Sequence, residues 1–169
     1  VSDALTQAQH RPPDFPLTVV TIDGVQQASP VPVAQRRAQR VAESGCSAVI
    51  DAGCGIGLDS WAFARAGLQV LAYEVDPTTA EVARANLAGL DVAVRTADVT
   101  EADLPPDTAL FVDPARRHAH RDVLGRPVRI HDPEQWRPAW SWVLDQAKRR
   151  TVIARIRPGH RDLPGGTEW

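Results

Sequence analysis

The sequence contains few residues of several types, and each shortage excludes a class of protein. Its 169 residues include two cysteines and no methionine. A disulfide framework is therefore excluded, and Cys46 and Cys54 are expected to be reduced thiols of a cytoplasmic protein. No apolar run approaches the length that spans a bilayer, which predicts no membrane segment. Nothing at the N-terminus resembles a signal peptide, and a chain that starts with Val1 is expected to be processed or trimmed.

Basic charge is low overall and unevenly distributed. The formal net charge is −2, which by itself favours no polyanionic partner. Lys148 is the lone lysine, yet one segment after Asp113 contains a cluster of arginines: Arg116, Arg117, Arg121, Arg126 and Arg129. Such clustering indicates a surface for phosphates or bases, although a high arginine content can also reflect a GC-rich genome.

Histidines in the same segment raise the alternative of a metal site. His118-x-His120 could ligate a metal together with His131 or His160. No nearby cysteine or acidic residue completes a recognised ligand spacing. Histidines in a basic loop are more often solvated or directed at phosphate, and we expect no metal.

Alternating apolar segments predict an α/β fold. We expect strands at residues 48–51, 70–74, 92–95, 109–112 and 151–156, and helices at 31–42, 58–66, 78–88 and 138–149. Gly67 and Gly89 occupy expected C-cap positions. Such alternation gives right-handed βαβ units and a mostly parallel sheet with helices on both faces. Residues 1–24 are expected to form an irregular arm with an extended piece at 17–22, and residues 25–169 a single domain.

A glycine-rich turn follows the first predicted strand. Asp51-x-Gly53-x-Gly55-x-Gly57 leads from this strand into a helix, and glycine lets a backbone turn sharply against a ligand. Glu74 ends the next strand about twenty residues later, where a carboxylate can accept both hydrogens of a ribose diol. Together the two segments describe a nucleoside site, while a glycine turn that only connects strand to helix is the plainer alternative.

The spacing of the glycines indicates which class of nucleoside cofactor the loop binds. A dinucleotide-binding loop has its third glycine one residue later, where Leu58 stands, and the lysine of a phosphate-cradling loop is absent. The loop resembles the D/E-x-G-x-G-x-G signature of class I S-adenosylmethionine-dependent methyltransferases. This resemblance implies a Rossmann-like fold with S-adenosylmethionine as cofactor and S-adenosylhomocysteine as product. A nicotinamide-dependent oxidoreductase is the alternative enzyme.

Further blocks narrow the resemblance. Residues 26–34, the glycine loop with Cys54, residues 112–117, and residues 157–159 through 168–169 resemble successive blocks of a bacterial methyltransferase family with a C-terminal THUMP-like domain. The resemblance covers residues 17–169 and implies an RNA substrate, although the THUMP-like portion is not in this chain. Members of that family carry lysine at the position of Arg155.

Cofactor contacts are expected along the carboxyl ends of the strands, where ligands of such sheets bind. Asp98 follows the third strand and can accept a hydrogen bond from the adenine amino group, although a surface turn is its alternative role. The full expected set is Asp51, Ala52, Gly53, Cys54, Gly55, Gly57, Glu74, Val75, Asp98, Val99 and Asp113.

Chemistry is expected at the Asp113-Pro114-Ala115-Arg116 loop. Enzymes that methylate exocyclic amines carry an aromatic residue where Arg116 stands, and a guanidinium can also stack on a base. A 5-methyluridine methyltransferase would need a cysteine after the next strand, where Ile156 and Arg157 stand. Direct transfer to nitrogen or oxygen remains, with Asp113, Pro114 and Arg116 as catalytic residues and Arg116, Arg117 and Arg155 as substrate-binding residues.

Two other possibilities stay open for this loop. In one, Asp113 only caps the turn beside solvated arginines; in the other, the degenerate motif belongs to a noncatalytic cofactor-binding adaptor of nucleic acids.

Trp140 shares a helix face with Val143 and is expected in the core, whereas Trp142 is either a base-stacking platform or covered by a missing domain. We expect the sheet to end after five strands, leaving an edge that a partner copy or that missing domain can cover.

Overall fold

The computed structural model describes residues 16–121 and 127–156. Its elements are α1 (Ile22–Gln27), α2 (Val31–Glu43), β1 (Ala48–Ala52), α3 (Leu58–Arg65), β2 (Gln69–Glu74), α4 (Pro77–Leu87), β3 (Val92–Thr96), β4 (Ala109–Val112), β5 (Arg117–Arg121), β6 (Pro127–Arg129), α5 (Trp140–Ala147) and β7 (Val152–Ala154). Two 3₁₀ turns lie at Val99–Glu101 and Pro133–Gln135. The predicted strands and helices are all present, with ends shifted by at most two residues.

Five strands form one parallel sheet in the order β3-β2-β1-β4-β7. The chain first winds outward from β1 through β2 to β3 and then returns to β4 on the other side of β1. The adjacent strands β1 and β4 therefore form the switch point, beyond whose carboxyl ends open α/β sheets bind their ligands. This is the Rossmann-like fold predicted from the sequence, and within the described ranges the sheet has five strands.

The two faces of the sheet carry separate cores. Val49 of β1 and Phe111 of β4 pack on the side of α2 and α3, in a cluster that includes Ala38 and Phe63. Residues at even-numbered positions of β1 and β4 face the other side of the sheet. Ile50, Leu110 and Val112 pack there on the side of α5, together with Trp136, Trp140 and Val143. Side chains alternate along a strand, so β1 and β4 are buried on both faces and read as nearly continuous apolar runs.

The tryptophans near α5 belong to the second core. Trp140 is buried as predicted and meets the ring of Trp136 edge to face, with ring centroids 6.1 Å apart. Trp142 is half-buried and packs against the same cluster.

In the described part of the chain, no helix combines the length and apolar character needed to cross a membrane.

The structure contains two features that the sequence analysis did not predict. Helix α1 begins at Ile22, at the end of the expected extended piece, and the residues before it have no regular secondary structure. Leu17 and Val20 are nevertheless buried in the core. The antiparallel pair of β5 and β6 was not expected, because Arg117–Arg121 has no alternation of apolar and polar residues. Residues 1–15 of the predicted arm and the block at residues 157–169 lie outside the described residues.

Candidate active site

The glycine loop is docked on the end of β2. The N–H groups of Gly53 and Cys54 both donate to the carbonyl of Tyr73, at 3.0 and 2.9 Å. All three loop glycines have positive φ, at 89° for Gly53, 56° for Gly55 and 95° for Gly57. Residues with a Cβ rarely adopt this conformation, so the three glycines are what the turn requires. The loop ends at Gly57, the N-cap of α3.

Glu74 joins β2 to this loop. Its carboxylate accepts a hydrogen bond from the Gly55 N–H at 3.0 Å with one oxygen and from the Asp76 N–H at 2.9 Å with the other. The side chain is half-exposed. A carboxylate has about four lone-pair directions, so two backbone bonds leave capacity for hydroxyl donors.

The other acids near the strand ends act as caps. Asp76 accepts a hydrogen bond from the Thr79 N–H at 2.7 Å at the start of α4, and this bond lowers the pKa of the exposed Asp76 carboxyl. Asp98 caps the 3₁₀ turn that follows β3, since one of its oxygens accepts from the N–H and hydroxyl of Thr100 at 2.9 and 2.7 Å.

Asp51 is a buried carboxyl beneath the loop. One oxygen accepts from the Ser60 hydroxyl at 2.6 Å, and the other is buried with no hydrogen-bond partner among the described residues. Burial raises the pKa of Asp51 from 3.8 to about 7, the negative charge of Asp59 adds to the rise, and the Ser60 hydrogen bond opposes it. An unpaired buried acceptor is costly, so this oxygen fits a site completed by a donor from outside the chain.

Cys54 is not a nucleophile. Its side chain is buried, and burial raises the pKa of the thiol, with the charges of Asp51 and Glu74 acting in the same direction. A thiol is reactive as the thiolate, which is disfavoured here. Among the described residues no group of three His, Cys, Asp or Glu side chains has the geometry to hold a metal ion.

The Asp-Pro loop begins where β4 ends, beside the glycine loop. Asp113 accepts a hydrogen bond from the Arg155 guanidinium at 2.9 Å, and Arg116 lies 3.8 Å from the other carboxylate oxygen. The backbone N–H of Arg155 donates to the carbonyl of Val112 at 2.8 Å, which places Arg155 next to this carboxylate. Burial raises the pKa of Asp113 while Arg155 and Arg116 oppose the rise, and the charge of Asp59 adds to it.

The loop is held by residues far along the chain. The N–H of Ala115 donates to the Arg137 carbonyl at 2.7 Å, and the N–H of Ile130 donates to the Arg116 carbonyl at 2.8 Å. These bonds continue into the hairpin of β5 and β6, in which Arg117 and Arg129 are register partners. Pro114 is buried, so Asp113 and Arg116 project from a fixed turn.

Most predicted site residues thus meet at one edge of the sheet. The glycine loop with Glu74 forms one side of the switch point, and Asp113 with Arg116 and Arg155 forms the other. Val75 is 68% exposed beside Glu74, and Val99 is buried in the 3₁₀ turn after Asp98. Of the predicted arginine cluster and histidines, Arg126 and His160 lie outside the described residues.

A family model adds the deciding observation. Residues 49–123, which run from β1 through the glycine loop to the Asp-Pro loop, match the model described as a methyltransferase domain. Residues 49–123 therefore correspond to a methyltransferase domain. The matched residues are those that form the candidate site.

Curated relatives agree with this assignment. Two uncharacterised S-adenosylmethionine-dependent methyltransferases of Mycobacterium tuberculosis, from strains CDC 1551 and H37Rv, are each 34% identical to the chain over 143 residues. The matched region is 82% of this chain and 36% of each relative, so the chain spans about a third of the length of these relatives. Over the matched region, these similarities support the predicted enzyme class and its cofactor, S-adenosylmethionine.

A solved structure supports the fold of the methyltransferase domain. The crystal structure of a putative RNA methyltransferase from Pyrococcus horikoshii aligns with a TM-score of 0.56 at 19% identity. The alignment covers 93% of this chain and 74% of the other.

The sequence analysis missed one buried polar cluster of the methyltransferase domain. The side chain of Arg37 in α2 is only 12% exposed and pairs with Asp59. Arg37 faces the interior because it lies three positions after Ala34 and four before Val41, which are buried. That spacing is the signal that could have revealed it.

The methyltransferase domain also has a groove away from this site. Its volume is about 840 Å³, and it lies between α2 and α3 against Trp61 and Arg65. Arg65 ends α3, so the groove opens at the amino edge of the sheet rather than at the glycine loop. None of the predicted site residues lines it.

Proposed function

We propose that this chain is the catalytic portion of a methyltransferase that transfers a methyl group from S-adenosylmethionine to a nitrogen or oxygen atom of an RNA base. The observation that carries the proposal is the position of Asp113. It follows β4 at the switch point, beside the strand that leads into the glycine loop. A methyl donor in that loop and an acceptor held by Asp113 would meet there.

The cofactor half of the proposal rests on the acids and on Val75. Glu74 has lone pairs available for the ribose hydroxyls, and the exposed Val75 beside it offers an apolar contact for the adenine ring. Asp98 caps its turn with one oxygen, which leaves the other for the adenine amino group. Asp51 and the glycine loop would hold the amino-acid end of the cofactor.

The acceptor half uses direct transfer. S-adenosylmethionine, held by the glycine loop and Glu74, would supply the methyl group: the acceptor atom would form the new bond to carbon, and the sulfur would keep the electron pair of the carbon–sulfur bond that breaks. An acceptor that bears a proton gives it to Asp113 or to water. Burial raises the pKa of Asp113 above its ordinary range, which makes its carboxylate a better base.

The RNA substrate is supported by charge around the acceptor site. Arg116 and Arg155 flank Asp113 and remain about one-third exposed. Arg117 and Arg129 are register partners in the hairpin that continues from this loop, so arginines continue along the chain from the acceptor site. Arginine is a common partner of nucleic-acid phosphates, and a phosphate of RNA would be an anion of this kind. The resemblance to the family with a THUMP-like domain points to the same substrate class.

Asp113→Asn tests the acceptor site. With labelled S-adenosylmethionine and total RNA, we expect the wild type to transfer label and Asp113→Asn to lose transfer while retaining its affinity for S-adenosylhomocysteine. Asp145→Asn is the matched control, since Asp145 pairs with Lys148 on the exposed side of α5. Full activity of Asp113→Asn would show that Asp113 only closes the turn. A wild type that binds cofactor without transfer to RNA would favour the noncatalytic adaptor.

The arginines are tested separately by salt dependence. Arg116→Ala should weaken binding to bulk tRNA and lower the slope of log affinity against log salt by about 0.7 for each single-strand phosphate that the variant no longer neutralises. Arg65→Gln removes an exposed arginine at the opposite edge of the sheet and should leave both quantities unchanged. Equal slopes for the wild type and Arg116→Ala would contradict an interaction with phosphate.

Cytoplasmic location, a dimer through the sheet edge and the domain division at residue 24 also remain proposals.

A further inference from the structure

Arg37, Asp59 and Ser29 form a polar cluster in the interior of the methyltransferase domain. The Arg37 guanidinium is paired with one oxygen of Asp59. The Ser29 hydroxyl donates to the other oxygen at 3.0 Å, and Arg37 also reaches this hydroxyl at 3.3 Å. The side chains of Arg37 and Asp59 are 12% and 14% exposed, and Ser29 is buried. Solvent therefore screens these charges little.

The cluster lies between the two halves of the candidate site. Asp59 is in the first turn of α3, directly after the glycine loop. The guanidinium carbon of Arg37 is 4.4 Å from the centre of the Phe111 ring, and Phe111 precedes Asp113 by two residues on β4. Phe111 is also the register partner of Asp51. The cluster thus contacts the start of the helix on the cofactor side and the strand on the acceptor side.

The charges of the cluster act on both neighbouring carboxyls. The negative charge of Asp59 raises the pKa of Asp51 and of Asp113, whereas Arg37 lowers the pKa of Asp51. The other charges that act on these carboxyls are Glu74 for Asp51, and Arg155 and Arg116 for Asp113. A charge change at Arg37 or Asp59 would therefore alter the electrostatic potential at the switch point itself.

Stability alone is a weak reason for such a pair. The desolvation penalty of a buried ion pair can exceed the attraction between its partners, so apolar residues of similar volume are often at least as stable. Asp59 has a separate reason to be there, because a carboxylate in the first turn of a helix is favourable. Arg37 then compensates the negative charge of Asp59, which the start of α3 favours but which lies close to the candidate site.

We propose that Arg37 is a positioning residue that neutralises Asp59 and thereby sets how strongly the site prefers the methyl donor over the product. The proposal rests on the proposed function, because the donor carries a positive sulfonium and the product a neutral thioether. With Arg37 in place the cluster adds little net charge. Without it, an uncompensated Asp59 would attract the sulfonium and leave the thioether unaffected.

Calorimetric titration with S-adenosylmethionine and with S-adenosylhomocysteine tests this inference through the ratio of the two dissociation constants. Arg37→Met should shift the ratio several-fold towards the donor, because the uncompensated charge of Asp59 attracts the sulfonium and not the thioether. Asp59→Asn leaves Arg37 unpaired and should shift the ratio in the opposite direction. Arg37→Lys retains the charge and should keep the wild-type ratio.

The controls separate this role from a purely structural one. Arg36→Met changes an exposed arginine of the same helix and should leave the ratio unchanged. A structural role would weaken both ligands equally, so an unchanged ratio in Arg37→Met and Asp59→Asn would overturn the inference. If Arg37→Met does not fold, as judged by its thermal transition, Asp59→Asn alone decides by the same ratio. A wild type that binds neither ligand would overturn the proposed function as well, whereas unchanged ratios in proteins that bind both would overturn only the role of Arg37.

Discussion

The carboxamide of Asn86 and the backbone of Val19 form a reciprocal pair of hydrogen bonds. The Val19 N–H donates to the Asn86 Oδ1 at 2.8 Å, and the Asn86 Nδ2 donates to the Val19 carbonyl at 2.7 Å. The same Nδ2 donates to the Ile56 carbonyl of the glycine loop at 2.9 Å. One side chain of α4 therefore connects the segment before α1 with the glycine loop.

Asn86→Ala should destabilise the protein by about 1.5 to 4.5 kcal/mol, since each of three net hydrogen bonds contributes about 0.5 to 1.5 kcal/mol. Asn86→Asp retains the acceptor for Val19 but places a carboxylate oxygen against the carbonyls of Val19 and Ile56, so it should be at least as destabilising as Asn86→Ala. Urea unfolding measures these differences. Gln39→Ala, which removes an exposed hydrogen bond to Glu43 on α2, is the control and should be close to neutral. Equal stability of Asn86→Ala and the wild type would refute this connecting role.

Removal of the Glu74 side chain should weaken cofactor binding, whereas removal of the Asp76 side chain should lower stability. Glu74→Ala deletes the acceptor proposed for the ribose, which costs about 1.5 to 3 kcal/mol, or roughly ten- to hundredfold in affinity for S-adenosylhomocysteine. Asp76→Ala deletes the cap of α4, so it should lower stability by about 1 kcal/mol and leave affinity nearly unchanged. Calorimetry and urea unfolding of both variants measure the contrast. Unchanged affinity in Glu74→Ala would remove Glu74 from the cofactor site.

Asp51 should make the stability of the cofactor-free protein depend on pH. The folded protein holds the Asp51 proton up to about pH 7, whereas the unfolded chain releases it near 3.8. Through this group the free energy of unfolding is highest below pH 3.8, falls as the pH rises to about 7, and is constant above that value. Asp51→Asn cannot titrate and should lack this fall.

Urea unfolding of both proteins across this pH range gives the comparison. Other titrating groups contribute equally to the two proteins, so the difference between their unfolding free energies isolates Asp51. Parallel curves would mean that Asp51 is not protonated more readily in the folded state.

Gly24→Ala should be destabilising although it lies inside a helix. Alanine in a helix is ordinarily more favourable than glycine by about 1 kcal/mol. At this position a Cβ would lie 2.5 Å from Ile56 Cγ2 and 2.7 Å from Thr21 Oγ1. Ile56 belongs to the glycine loop, so we expect a lower thermal transition together with weaker cofactor binding. Gln26→Ala on the exposed side of α1 is the control, and a Gly24→Ala protein as stable as this control would contradict the expected contact.

The sequence by itself determined the order of strands and helices and the place of the site. Apolar runs such as residues 109–112 report burial within their own element, and the glycines at 53, 55 and 57 report a turn that only glycine forms readily. Because parallel strands align their carboxyl ends at one edge, Glu74 and Asp113 could be assigned to one site without coordinates. The hairpin of β5 and β6 lacked such a signal, since histidines and arginines dominate its first strand.

Only the tertiary structure decided which polar side chains meet. Arg37 pairs with Asp59 across 22 residues, Asn86 reaches Val19 across 67, and Arg155 reaches Asp113 across 42. None of these separations has a local period, because each depends on how two elements pack and on which side chains then face each other. Patterning therefore predicts the backbone that carries the site and can indicate that a side chain such as Arg37 is buried, whereas the partner of each polar side chain follows only from the packing of the elements.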